Sequence, residues 1–151
     1  MSHAKRNHEA FLEPYESAGK RVNNKGYYVN DSYARIAVSL LESEAFQSLS
    51  SRQKLLLINM RAQRYGSRPP DKDFKEDDPH WDTVHDRNAF YYPFSLAAKR
   101  MPEYRNNSSR FFHDIDDLVG KGFIDIAIHG HNTRSKNVYK YSSRWWQNLK
   151  G

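Results

Sequence analysis

The last third of the chain changes its apolar period from helical to alternating within 36 residues. From Asn107 to Val119, Phe111, Phe112, Ile115, Leu118 and Val119 fall at i, i+1, i+4, i+7 and i+8, one stripe of a helix. The spacing predicts a short amphipathic helix opened by Asn107, and Gly120-Lys121-Gly122 stops it. Apolar and polar residues then alternate over Phe123-Ile124-Asp125-Ile126-Ala127-Ile128, the period of a half-buried strand. A polar, basic loop follows, from His129 to Asn137, and alternation resumes over Val138-Tyr139-Lys140-Tyr141-Ser142. The predicted order is helix, tight turn, strand, basic loop, strand.

Upstream, Ser50 opens the strongest helix. Ser50-Ser51-Arg52-Gln53 has the capping-box form, with Ser50 and Gln53 as the reciprocal pair. Leu55, Ile58 and Ala62 share one face of Lys54–Arg64, with Leu56 and Met60 on its flank, and Tyr65-Gly66 ends the run. This helix is the expected core element. Before it, Tyr33, Ile36, Ala37, Leu40 and Leu41 are helically spaced, with Asp31 or Ser32 as cap. These positions suit packing on the next helix and a dimer face equally well.

Residues 67–88, with Pro69, Pro70 and Pro79, read as a long acidic loop without regular structure: an insertion, a lid or a partner-binding loop. Ala89–Phe94 is a short strand that Pro93 confines to an edge. Ser95 then caps a two-turn helix over Leu96–Met101, stopped by Pro102. Residues 1–30 form a polar N-terminal arm with a turn at Asn23-Asn24-Lys25-Gly26. It reads as a disordered tail in preference to an arm that enters a groove. Residues 31–151 form the folded domain.

An apolar stripe pinned to a core leaves the polar N-terminal turns of the 107–119 helix outside. Asn106, Asn107, Ser109, Arg110 and His113 lie there, residue types that contact bases and phosphates. Asp114, Asp116 and Asp117 lie further along and are expected to point away from phosphate. The loop adds His129, His131, Asn132, Arg134, Lys136 and Asn137, with Lys140 on the returning strand. Helix, turn, helix and a basic hairpin make the order of a helix-turn-helix with a wing, an arrangement suited to duplex DNA. Each half also has a plainer role, as core helix and as solvated turn; adjacency is what favours the nucleic-acid reading.

Charge supports that division. The 151 residues carry a net charge of +6. Residues 126–151 contribute +5 with no acidic residue, whereas residues 71–88 contribute −4. A phosphate-rich partner suits the first segment and not the second. No apolar run is long enough to span a membrane and no signal-peptide pattern opens the chain, so a cytoplasmic protein is expected. The lack of cysteine excludes a disulfide framework and thiolate metal sites. Aromatic residues make up 14%, enough for a small core built of large side chains.

Other chemistry is thin. His80 and His85 are five apart, unlike a helical ligand pair, although Asp78, Asp82 and Asp86 repeat at four; an acidic loop is the simpler reading. No nucleophile motif and no glycine-rich phosphate loop are present. Trp145-Trp146 fits closure of a core better than a stacking platform for bases. No enzymatic activity, cofactor or metal is expected. The alternatives are a protein–protein module using residues 71–88 and Trp145-Trp146, and a metal-dependent nuclease using His80–Asp86.

The segments Phe94-Ser95-Leu96-Ala97, Phe111-Phe112-His113-Asp114-Ile115 and Leu118-Val119-Gly120-Lys121-Gly122-Phe123-Ile124 precede the basic loop and Tyr139-Lys140-Tyr141-Ser142. Together with Leu49-Ser50-Ser51-Arg52-Gln53-Lys54-Leu55-Leu56-Leu57, they resemble winged helix-turn-helix domains of Gram-positive plasmids and conjugative elements, over residues 49–144. That group includes N-terminal domains of replication initiators and accessory proteins of transfer. The resemblance implies an α+β winged-helix fold, here with an N-terminal helical extension, and sequence-specific double-stranded DNA binding. It further implies a homodimer and a relaxase or replication protein as partner. By position, Asn107, Ser109, Arg110 and His113 would lie on the recognition helix and Arg134 and Lys136 at the wing tip. The connection after the first core helix is longer and more acidic than in that group, its recognition helix has few basic residues, and no second domain follows. A regulator or transfer accessory factor therefore fits better than a full replication initiator.

Overall fold

A computed structural model describes residues 20–30, 34–63, 69–130 and 136–147. Residues 1–33 and 34–151 form separate units. In the first, β1 (Lys20–Val22) and β2 (Tyr28–Asn30) pair antiparallel, with Lys20 opposite Asn30 and Val22 opposite Tyr28. The turn expected at Asn23–Gly26 joins them, and the Asn23 side-chain oxygen accepts from the backbone N–H of Lys25 and Tyr27. Two three-residue strands are too short to show an alternation, so the arm reads as structureless in sequence.

The second unit is mixed helix and sheet. Among the described residues its helices are α1 (Val38–Glu42), α2 (Glu44–Gln47), α3 (Ser51–Arg61), α4 (Trp81–Val84), α5 (Phe94–Arg100), α6 (Ser108–Gly120) and α7 (Arg144–Gln147). Short 3-10 turns occupy Pro70–Asp73 and Pro102–Tyr104. The strands β3 (Ala89–Tyr91), β4 (Ile124–Ile128) and β5 (Val138–Tyr141) form one antiparallel sheet in the order β3-β5-β4. The last strand is therefore central. Phe90 lies opposite Tyr139, and Tyr139 opposite Ile126, with a bulge in β4 between Ile126 and Ile128.

The capping box at Ser50 and Gln53 forms as its spacing predicts. The buried face of α3 differs from the expected one. Leu55 is exposed, Ile58 and Ala62 are half-buried, and Gln53, Leu56, Leu57 and Met60 face inward. These are i, i+3, i+4 and i+7, a stripe rotated by about one residue. Its first member is polar because its amide meets partners on α6, described below. Of the helix expected from Tyr33, the described residues from Ala34 on are helical over Val38–Glu42, with Ile36 packed on the core ahead of it; Tyr33 and the expected caps Asp31 and Ser32 lie outside the described residues. Ser95 is not a cap: Pro93 takes that position and α5 begins at Phe94.

The long acidic loop is corrected most. Residues 69–88 contain the Pro70–Asp73 turn and α4, and they cover the sheet. Phe90, Tyr139, Tyr141, Ile124 and Ile126 pack with the helices on one face. Val84 is buried against Ala89 and Val138 on the other, where Phe74, Tyr91, Ala127 and Ile128 complete a second small cluster. The segment shows no amphipathic period: its buried residues are Pro70 and Val84, fourteen positions apart, with Phe74 partly buried against the same cluster as Val84. No helix among the described residues is long and apolar enough to cross a membrane.

Candidate nucleic-acid interface

Helix α6 is fixed at both ends. Asn107 caps it, its side-chain oxygen accepting from the Arg110 N–H at 3.0 Å. Asn106 immediately before has φ 61°, a left-handed conformation that asparagine tolerates. At the other end Phe123 N–H bonds to Leu118 C=O and Gly122 N–H to Val119 C=O, the paired bonds of a Schellman motif. Gly122 has φ 89°, and a Cβ there would stand 2.7 Å from the Trp145 nitrogen. The turn that follows the helix is thus closed against α7.

The buried face of α6 is Phe111, Asp114, Ile115 and Leu118. Phe112, expected in the apolar stripe, is 44% exposed. Asp114, expected to point away from phosphate, is fully buried. Its carboxylate accepts from Arg52 Nε at 2.6 Å and Arg52 NH2 at 3.0 Å, a bidentate pair. Tyr104 donates its hydroxyl to it at 2.7 Å and Gln53 its amide at 3.0 Å. The Gln53 amide also donates to Asp117 at 2.6 Å. Burial alone would raise the Asp114 carboxyl, but the bonds from Arg52, Tyr104 and Gln53 and the Arg52 charge hold it below the usual carboxylate range. Tyr104 moves the other way: burial, then its bond and proximity to Asp114, push its hydroxyl far up. This network ties the N-terminus of α3 to the middle of α6 and sets the rotation of α6.

That rotation leaves Ser109, Arg110, His113 and Asp116 exposed. Lys136, at the end of the basic loop, is exposed, and its ammonium lies 4.6 Å from the centre of the Tyr91 ring. Asn137 closes the base of the loop, accepting from Gly130 N–H at 2.7 Å. A cavity of about 430 Å³ is lined by Phe112 and Asp116 of α6 and by His129, Lys136 and Asn137 of the hairpin. Helix and hairpin base therefore flank one depression on one side of the unit. His131, Asn132 and Arg134 lie outside the described residues.

Lys140 has a second role that the sequence did not signal. It pairs with Asp86 at 2.9 Å, and the Asn88 N–H followed by Lys140 holds the Asp86 carboxyl below its usual range. The acidic segment is thus tied to the central strand by a cation of the basic segment. Trp145 stacks on Phe123 at 6.0 Å, in keeping with closure of the core, while Trp146 is 42% exposed.

His113, Asp114 and Asp117 bring three donor atoms within 4.8 Å of one another. Both Asp114 oxygens already accept hydrogen bonds, two of them from a guanidinium that would repel a cation. The group is accounted for as part of the α3–α6 network. His85 Nδ1 lies 3.7 Å from Asp71, and His80 is not joined with it in a three-donor group among the described residues. Comparison of the chain with family models, curated proteins and solved structures gives no match.

Proposed function

We propose that this protein is a non-enzymatic, sequence-specific double-stranded DNA-binding protein with a winged helix-turn-helix fold. In this reading α6 enters the major groove and the β4–β5 loop grips the neighbouring backbone or minor groove. The chain order α3, α4, β3, α5, α6, β4, loop, β5, with β5 central in the sheet, suits a winged helix into which α4 is inserted. The observation that supports the reading is that Phe112 and Asp116 of α6 and His129, Lys136 and Asn137 of the hairpin line one depression, with Arg110 and His113 exposed on the same helix. The resemblance to plasmid and conjugative-element proteins extends it to transfer, replication or transcription control, with a second copy and a relaxase or replication protein as partners.

Titration of labelled duplex at several salt concentrations tests it. Three or four phosphate contacts give a log–log slope of about −3 to −4. Joint replacement Arg134→Ala and Lys136→Ala is expected to weaken binding to every duplex and reduce the slope by about 2. Arg110→Ala is expected to reduce preference between sequences instead. Absence of duplex binding at low salt would overturn the proposal.

A further inference from the structure

Between Lys99 and Arg110 the chain carries four cations and one carboxylate, Glu103, a net charge of +3. Lys99 and Arg100 end α5, Arg105 follows the Pro102–Tyr104 turn, and Arg110 lies in the first turn of α6. These three pieces pack on one another, and all five charged residues are exposed. Arg100 is turned toward Gln63, just past α3, donating to its Oε1 at 3.3 Å. Arg105 donates from Nε to Ala98 C=O at 3.2 Å, which brings its guanidinium back beside the last turn of α5, where Lys99 stands. Among the described residues no carboxylate forms an ion pair with Lys99, Arg105 or Arg110, whereas Arg52, Lys140 and Arg144 are each matched by an aspartate. Like charges gathered on one surface repel, and an anion held among them relieves that repulsion.

The surroundings of the patch narrow the class of anion. No large apolar side chain is exposed between residues 95 and 110, so the patch lacks the apolar centre of a protein interface and the apolar anchor of a membrane-surface site. Phe112 is two residues beyond Arg110 and projects from a different side of α6. A polyanion met through charge alone fits such a surface. Resting on the DNA-binding reading above, we propose that Lys99 and Arg105 bind backbone phosphates of the duplex, in addition to the contacts of the β4–β5 loop. Neither residue lies on α6, so their contacts fix its register on the duplex and carry no sequence information. With Nε held by Ala98, the terminal nitrogens of Arg105 present a planar fork to a phosphate.

The test titrates a labelled random-sequence duplex with the full chain at several salt concentrations. Joint replacement Lys99→Ala and Arg105→Ala is expected to reduce the log–log slope by about 2, and to add to the loss from Arg134→Ala with Lys136→Ala. The duplexes selected from a random pool are expected to be the same for this variant and the wild type. Arg105→Lys is expected to keep the slope. Lys72→Ala with Lys75→Ala removes the same charge from the acidic segment and is expected to leave the slope unchanged. Circular dichroism establishes that each variant is folded, and Lys99→Gln with Arg105→Gln replaces the alanine pair if that pair is not. If the wild type binds duplex and the Lys99 and Arg105 replacement keeps its full slope, the phosphate contacts are overturned and the DNA reading stands. If the Lys72 and Lys75 replacement lowers the slope equally, the effect is one of net charge and the proposal is likewise overturned. If wild-type protein retains no duplex at low salt, both fall.

Discussion

Asp114 shows how one buried charge can govern a surface. It is fully buried and takes four hydrogen bonds from three residues, two of them from one guanidinium. Removing one partner of such a pair leaves the other uncompensated, so Asp114→Ala is expected to cost about 3 kcal/mol in denaturant unfolding. The folded carboxyl sits below its usual value, so its contribution is complete above the unfolded pKa of about 4. It is lost as the pH falls through the folded value. Acid titration of the unfolding midpoint checks this: wild type is expected to lose stability steeply below about pH 4, and Asp114→Asn to lose less over the same range. Gly122 is the other sensitive position. Its positive φ and its 2.7 Å approach to the Trp145 nitrogen leave no room for a methyl group. Gly122→Ala is expected to destabilise by about 2 kcal/mol, read in thermal unfolding.

The helices differ in how much of them is carried by local signals. The ends of α6 are set by short-range chemistry, the Asn107 cap and the bonds of Phe123 and Gly122 to the last turn. Asn107→Ala is expected to cost about 1 kcal/mol without moving the strands, measurable by denaturant titration. This residue therefore has a capping role whether or not it touches DNA. The start of α3 was equally legible, since Ser50 and Gln53 satisfy each other; Tyr65-Gly66, where its end was expected, lies outside the described residues. The rotation of both helices was not. Phe111 and Phe112 are adjacent, as are Leu55 and Leu56, and either of each pair can head a stripe. Gln53 and Asp114 decide the matter by bonding across 61 positions of sequence, beyond the reach of any local pattern.

Taken together, the chain builds a sheet covered on both faces. The helices bury one, and the acidic segment buries the other by setting Val84 against Ala89 and Val138 of the sheet. Val84 is 1% exposed, so Val84→Ala is expected to cost about 2 kcal/mol and to raise hydrogen exchange in β3 and β5. The pairing of Lys140 with Asp86 separates the cations of the basic segment into two kinds. Lys136 is exposed and stands at the candidate interface; Lys140 anchors the acidic segment. Lys140→Ala is accordingly expected to leave the salt slope of DNA binding unchanged, in contrast to the joint Arg134 and Lys136 replacement.

Local periodicity was enough to announce the principal elements: a capped helix at Ser50, an amphipathic helix from Asn107, two alternating strands around a basic loop, and an edge strand before Pro93. Each depends on contacts a few residues apart, and such contacts leave a period or a cap in the chain itself. Which side each helix turns inward, which carboxylate is buried, and what the acidic segment covers depend on partners tens of residues away. Desolvating Asp114 is tolerable only because Arg52, Gln53 and Tyr104 converge on it, and that convergence in turn leaves Phe112 outside.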